Sequence, residues 1–159
     1  MKIKVGFGFD VHQLKDGLDF WLGGIKVTHT KGGLGHSDAD VLIHAICDAL
    51  LGSVNLGDIG KHFPDSSEEF KGIDSKILLK EVVKMISERG YSIGNIDSTV
   101  CLQKPKIGPY IPDMKKVLAS CINIDSEDIS IKATTTERLS FVGREEGVSA
   151  YTTVLIQKD

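Results

Sequence analysis

Two periods run through this sequence, and together they lay out its elements. Near the start Ile3, Val5, Phe7 and Phe9 alternate with Lys4, Gly6 and Gly8, the two-residue repeat of a half-buried strand. From Val41 the repeat lengthens: Val41, Leu42, Ala45, Ile46, Ala49 and Leu50 recur at helical spacing. They predict an amphipathic helix entered from the Gly35-His36-Ser37 loop and stopped at Gly52, with Ser37 as N-cap and Asp40 as the acidic half of a capping box. Phe20-Trp21-Leu22 and Ile25-Lys26-Val27 flank Gly23-Gly24, the glycine pair of a tight hairpin, and Thr30 to Gly35 reads as a glycine-rich loop. Asp74 is the expected cap of a second helix that turns Ile77, Leu78, Val82, Met85 and Ile86 inward and ends at Gly90. Pro112 opens a third helix carrying Met114, Val117, Leu118 and Cys121, and Ile96 to Leu102, Ile129 to Ala133 and Val148 to Gln157 read as strands. Residues 57–72 follow neither period, and a stretch that long points to a lid or binding loop rather than a plain connector.

Strands and helices alternate without repeats, low-complexity tracts or a linker. This predicts one α/β domain of α+β type over residues 1–159, a small mixed sheet with helices packed on one face in two layers. The second face of the sheet then needs a cover, and Ser98, Ala150 and Thr152 suggest a partly polar contact such as a partner subunit. Composition adds little to that picture: 41% hydrophobic, 26% charged, formal net charge −3. The acidic balance speaks against an electrostatic nucleic-acid binder. Cys47, Cys101 and Cys121 are odd in number, widely spaced and set in apolar segments, as buried thiols of a reducing compartment would be, and form no Cys-x-x-Cys metal site. No stretch approaches the roughly 20 apolar residues of a membrane span. The expectation is a soluble, cytoplasmic protein with neither a nucleic-acid nor a membrane partner.

The candidate chemistry gathers at two places. Asp10 and His12 project to the same side if the first strand continues through them, and Asp40, His44 and Asp48 stack along one face of the first helix. A carboxylate and two imidazoles, Asp10, His12 and His44, suit a zinc ion with its fourth position open. Their spacing matches no self-contained zinc motif, so strand-end polarity beside an ordinary helix-face histidine is the alternative. The second place is Lys132-Ala133-Thr134-Thr135-Thr136-Glu137, where hydroxyls and backbone amides can cradle phosphate while Glu137 holds a hard cation; the other reading is a helix start with Thr and Glu in its first turn. A nucleotide-hydrolase loop is excluded because Asp58 stands where its lysine belongs.

Taken in order, Asp10-Val11-His12, His36-Ser37-Asp38-Ala39-Asp40 with His44, Gly57-Asp58-Ile59-Gly60 with Phe63-Pro64-Asp65, Pro105-Lys106, and Lys132 to Glu137 with Gly143-Arg144-Glu145-Glu146-Gly147 resemble the 2-C-methyl-D-erythritol 2,4-cyclodiphosphate synthase family over nearly the whole chain. The resemblance implies a homotrimer whose three sheets face a central axis, with active sites between subunits. It implies a small-molecule substrate, 4-diphosphocytidyl-2-C-methyl-D-erythritol 2-phosphate, whose 2-phosphate attacks the β-phosphorus and expels CMP. It implies zinc on Asp10, His12 and His44, magnesium or manganese on Glu137, and transition-state stabilisation by His36 and Thr135. Ser37, Asp58, Gly60 and the mobile segment Phe63, Pro64, Asp65, Ser66 and Ser67 surround the erythritol part. Leu102, Lys104, Pro105, Lys106, Ile107, Gly108, Ala133 and Thr134 hold the cytidine diphosphate from the adjoining subunit. Phe141 and Arg144 line a central cavity that takes a prenyl diphosphate. Asp40 and Asp48 are then capping or orienting carboxylates rather than ligands.

Overall fold

The computed structural model describes residues 1–158. Strand β1 (Lys2–Asp16) pairs with β4 (Lys31–Leu34) on one side and β7 (Gly147–Lys158) on the other, both antiparallel. Beyond β7 lie β5 (Ser92–Cys101) and β6 (Ile129–Thr134), the latter pair parallel, giving a mixed five-stranded sheet in the order β4-β1-β7-β5-β6. A small hairpin, β2 (Phe20–Leu22) with β3 (Ile25–Val27), turns at Gly23 and Gly24, both at positive φ. One face of the sheet carries α1 (Val41–Ser53), α3 (Ser75–Glu88) and α4 (Ile111–Ile122), with α1 lying across β1 and β7. The expected two-layer mixed architecture is therefore present. Residues 57–72 hold a short helix α2 (Ile59–His62) and one 3₁₀ turn, Glu68–Phe70; a further single-turn helix, α5 (Ser140–Gly143), precedes β7.

The buried face of β1 is the reverse of what its alternation first implies. Ile3, Val5, Phe7, Phe9 and Val11 stand on the open side of the sheet, and Gly6 and Gly8 face α1. The cause is the closeness of the helix. A Cβ on Gly6 would lie 1.9 Å from the Ala49 carbonyl oxygen, and one on Gly8 would lie 2.0 Å from that of Ala45. The expected polar contact through Ser98, Ala150 and Thr152 is likewise overturned: all three point into the helix layer, where Ser98 Oγ and Thr152 Oγ1 satisfy one another at 2.9 Å. The open face is apolar along β1, where Tyr151 of β7 meets Phe9 in a tilted pair at 5.0 Å between ring centroids, and polar toward β5 and β6, where Asp97 pairs with Lys132.

Other local expectations change for similar reasons. The glycine-rich loop contains β4, because Gly32 and Gly33 pair with Lys15 and Leu14. Asp40, not Ser37, caps α1: its carboxylate accepts from Ile43 N–H at 3.0 Å and also from Gly23 and Gly24 N–H at 3.0 and 2.7 Å, pinning the β2–β3 turn to the helix. Gly52 lies inside α1, which ends after Ser53. On α3 Ile77 is exposed and Leu79 takes the buried place. Only Cys47 is fully buried; Cys101 and Cys121 are half-buried, and all three are free thiols. Among the described residues no helix is long and apolar enough to cross a membrane.

Candidate active site

Beyond Gly8 the same face of β1 carries Asp10 and His12, and α1 delivers His44 against them from one turn inside its N-terminus. Asp10 Oδ2 lies 2.9 Å from His12 Nε2 and 3.1 Å from His44 Nδ1, and the two imidazole nitrogens are 3.0 Å apart. A tetrahedral ion with bonds of about 2.0 Å needs ligand atoms about 3.3 Å apart, so this triangle has nearly the edge length one face of a zinc site requires. The remaining ring nitrogens are held elsewhere. His12 Nδ1 is 3.2 Å from the Leu34 carbonyl oxygen, to which it can only donate, so Nε2 is the nitrogen left for Asp10, which it meets as a donor when protonated, or for a metal ion when not. His44 Nε2 meets Ser75 Oγ at 2.9 Å and Ser37 Oγ at 3.1 Å. Two imidazoles and a carboxylate converging in this way form a site that a proton or a cation must neutralise, and their donor set fits a divalent ion.

Electrostatics follow from the same contacts. Burial alone raises the Asp10 carboxyl, but hydrogen bonds and charge from His12 and His44 outweigh it and hold Asp10 well below the usual carboxylate range. Burial lowers His12, yet the bond to Asp10, its charge and the Leu34 carbonyl raise it above the ordinary imidazole value. Asp10 thus stabilises the fold above its unfolded pKa of about 3.9, and this is lost as pH falls. His12 contributes fully below about 6.5, and this is lost as pH rises through its raised folded value. Chelator-treated protein should therefore be most stable between about pH 4 and 6.5 as far as this pair decides it, and added zinc should move the optimum upward. Thermal melts across pH with and without zinc measure this; an unmoved optimum contradicts it.

The triangle opens into a cleft of about 330 Å³, which His36, Ser37, Gly60, Phe63 and Asp65 also line. His36 Nε2 bonds the Ser67 carbonyl oxygen at 2.9 Å, tying the 57–72 segment across the mouth, and Phe63 packs edge-on against Phe70. Asp58 is not in the lining: it caps α2 by accepting from Lys61 N–H at 3.0 Å. Pro64, Ser66 and Ser67 lie in the loop without lining the cleft through side chains. Asp48 accepts from Ile59 N–H at 2.8 Å, so the carboxylate stripe of α1 is divided, with only His44 facing the triangle.

A second cavity, about 350 Å³, is lined by Leu102, Pro105, Lys106, Ile107, Gly108, Ala133, Thr134 and Thr135 and shares no residue with the first. Lys104 lies outside it and pairs with Glu145 at 3.5 Å. The segment after β6 is not a helix start: Glu137 and Arg138 sit at φ 53° and 63°, and α5 begins only at Ser140. In that turn Thr135 Oγ1 donates to Glu137 Oε1 at 3.4 Å. Phe141 borders a shallow surface with Val11 and His12, and Arg144 is engaged by Glu146 through two bonds of 3.1 and 3.0 Å. Ser75 reaches His44 from behind and is itself held by Asp38; Asp38 stood in the His36 to Asp40 motif without a role assigned to it, and Ser75 reads only as the first residue of a helix.

A family model described as the YgbB family matches residues 3–157. The 2-C-methyl-D-erythritol 2,4-cyclodiphosphate synthase of Bacteroides fragilis is 66% identical over 158 residues, covering 99% of each chain. That of Porphyromonas gingivalis is 58% identical over 153 residues, covering 96% of this chain and 94% of its own. Among solved structures, the bifunctional IspDF of Campylobacter jejuni superposes with a TM-score of 0.95 at 39% identity, covering 99% of this chain and 43% of that one. The IspF of Plasmodium falciparum, solved as a CDP complex, gives 0.87 at 32% identity, covering 99% of this chain and 97% of that one. The chain therefore belongs to the YgbB family of 2-C-methyl-D-erythritol 2,4-cyclodiphosphate synthases.

Proposed function

We propose that in this enzyme of the non-mevalonate route to isoprenoids the Asp10, His12 and His44 triangle holds zinc, while the 2-phosphate of 4-diphosphocytidyl-2-C-methyl-D-erythritol 2-phosphate attacks the β-phosphorus to close the cyclic diphosphate and release CMP. The observation that carries this is the convergence of three ligand atoms at about 3 Å, one carboxylate oxygen and one nitrogen from each imidazole. When bound, the ion supplies Lewis-acid polarisation of a phosphate oxygen. The nucleophile belongs to the substrate, so the protein has to position and to neutralise charge, the terms that dominate phosphoryl transfer. His36 and Thr135 are the donors for charge developing in flight, and Glu137 would hold a magnesium or manganese ion, which would supply further neutralisation of phosphate charge. Ser37, Gly60, Phe63 and Asp65, which line the cleft beside the triangle, surround the erythritol part, and Asp58 acts on it only by capping the helix that carries Gly60. The second cavity takes the cytidine diphosphate, in keeping with the CDP bound by the Plasmodium falciparum relative.

Metal triangle and nucleotide cavity share no lining residue, which favours an active site assembled from two neighbouring chains of a homotrimer. The open sheet face supports the same assembly. Ile3, Val5, Phe7, Phe9, Val11 and Tyr151 form an apolar surface on two central strands, of the kind that marks a subunit interface. Phe7, 64% exposed here, is its centre, and Phe7→Asp should shift the particle in size-exclusion chromatography from trimer to monomer; an unchanged elution volume argues against this interface. Residues 1–159 act as one cytoplasmic domain in this reading, with Phe141 and Arg144 placed to meet a prenyl diphosphate on the trimer axis. The experiment that tests the chemistry is phosphorus NMR on the product formed with zinc and magnesium present. A coupled pair of cyclic diphosphate signals together with CMP is expected, and a linear product with a free phosphate would instead make the enzyme a hydrolase.

A further inference from the structure

His44 reaches the triangle with Nδ1, and its other ring nitrogen decides whether Nδ1 has a lone pair to offer. Nε2 lies 2.9 Å from the hydroxyl of Ser75, a fully buried residue. That hydroxyl has a single hydrogen, and it goes to Asp38 Oδ1, while Ser75 N–H donates to Asp38 Oδ2 at 2.9 Å. A carboxylate only accepts. Ser75 Oγ, having donated to Asp38, can only accept from His44, so Nε2 carries a ring proton; Nδ1, 3.1 Å from Asp10 Oδ2, is then the nitrogen whose lone pair a metal ion takes, or which donates to Asp10 when the ring holds a second proton. Ser37 Oγ, which accepts from Ala39 N–H at 3.2 Å, lies 3.1 Å from the same nitrogen as a second acceptor.

We infer that Asp38 and Ser75 are positioning residues that fix the His44 tautomer and thereby make the third corner of the triangle available to a metal ion, an inference that rests on the metal reading above. The relay makes a prediction that simple packing does not. In Asp38→Asn one atom type changes and the shape is kept. The amide oxygen stays with Ser75 N–H at 2.9 Å: the flipped orientation would set the NH₂ against that N–H, whereas this one gives up only the longer bond from Asp40 N–H at 3.2 Å and lets the Ser75 hydroxyl change from donor to acceptor. The NH₂ then faces Ser75 Oγ and donates to it, and the Ser75 hydrogen turns to His44 Nε2. The ring is driven to the Nδ1–H tautomer, whose proton occupies the metal-facing nitrogen; an orienting carboxylate replaced by its amide can trap the wrong tautomer in this way. Ser75→Ala is milder, since Nε2–H still finds Ser37 Oγ.

The test uses the full chain, zinc affinity from chelator competition, and ring-nitrogen NMR of the chelator-treated protein. Wild-type His44 should carry a proton on Nε2, whatever the state of Nδ1 beside Asp10, and the Asp38→Asn variant should carry its proton on Nδ1 alone. Zinc affinity should fall about 10–100-fold in Asp38→Asn. It should fall less in Ser75→Ala, and the double variant should return to the Ser75→Ala level, because without the hydroxyl the amide has nothing to relay. An Asp38→Asn variant that binds zinc like wild type, a double variant as weak as Asp38→Asn, or a wild-type His44 with no proton on Nε2 overturns the inference. Wild-type protein with the Nε2 proton and no zinc uptake overturns the metal reading and leaves the relay standing.

Discussion

His44→Ala is expected to give a folded chain that retains no stoichiometric zinc and releases CMP about a thousandfold more slowly, or worse. The other two corners of the triangle, Asp10 and His12, come from alternate positions on one face of a single strand, and only His44 ties them to the helix layer. Two ligand atoms on one side of an ion do not fix its geometry, so affinity falls with the loss of the third. A bound cation acting on phosphate oxygens is worth several kcal/mol of transition-state stabilisation, and each 1.36 kcal/mol is tenfold in rate, which gives the magnitude. The fold should survive because the apolar contacts of α1 run through Val41, Leu42, Ile46 and Leu50, none of which depends on the imidazole. Elemental analysis beside a CMP-release assay measures both halves, and full activity in the variant would sink the metal assignment.

Gly8→Ala should destabilise the protein by about 3 kcal/mol or more, at the top of the range for overpacking. The new methyl would meet Ala45 O at 2.0 Å and Ala49 N at 2.6 Å. These are backbone atoms of α1 that cannot rotate away, so the helix must retreat from the sheet along its length. For a domain of this size about 2–4 °C accompany each kcal/mol, and the expected fall in Tm is about 6–12 °C. Gly52→Ala is the control within the same helix. Nothing lies within 4 Å of its added Cβ, and replacing a helix-interior glycine should raise stability by about 0.5–1 kcal/mol. Thermal unfolding followed by circular dichroism compares the two; equal melting temperatures would mean that close approach at Gly8 is not what holds the layers together.

How far the sequence carried the structure depends on the range of the interactions that decide each feature. The hairpin at Gly23-Gly24, the cap at Asp74 and the periods of α1, α3 and α4 are set by neighbours in the chain, and they were legible. The face that β1 buries was not, because Phe7 and Phe9 make the better hydrophobic pattern while the position of a helix 40 residues away makes the decision. Asp40 displaced Ser37 as cap for a like reason: its second oxygen is claimed by Gly24 N–H, a contact between distant segments. At the site, the residue types of Asp10, His12 and His44 were readable as ligands, but their convergence was not, since it needs β1 and α1 in contact. Ser75 and the Leu34 carbonyl were invisible, one looking like an ordinary helix start and the other carrying no side-chain signal at all.

The glycine face of β1 and the ligand pair are the same face, with Gly6, Gly8, Asp10 and His12 in unbroken alternation. A slip of one residue in the pairing of β1 with β7 would drive Phe7 and Phe9 into a space too small for a methyl, and would at the same stroke turn Asp10 and His12 away from His44. Misregistered chains are thus rejected on steric grounds before they can present a defective site. Correct folding and a competent metal triangle are one event, so a population of well-folded but chemically dead enzyme should not accumulate from errors in this strand.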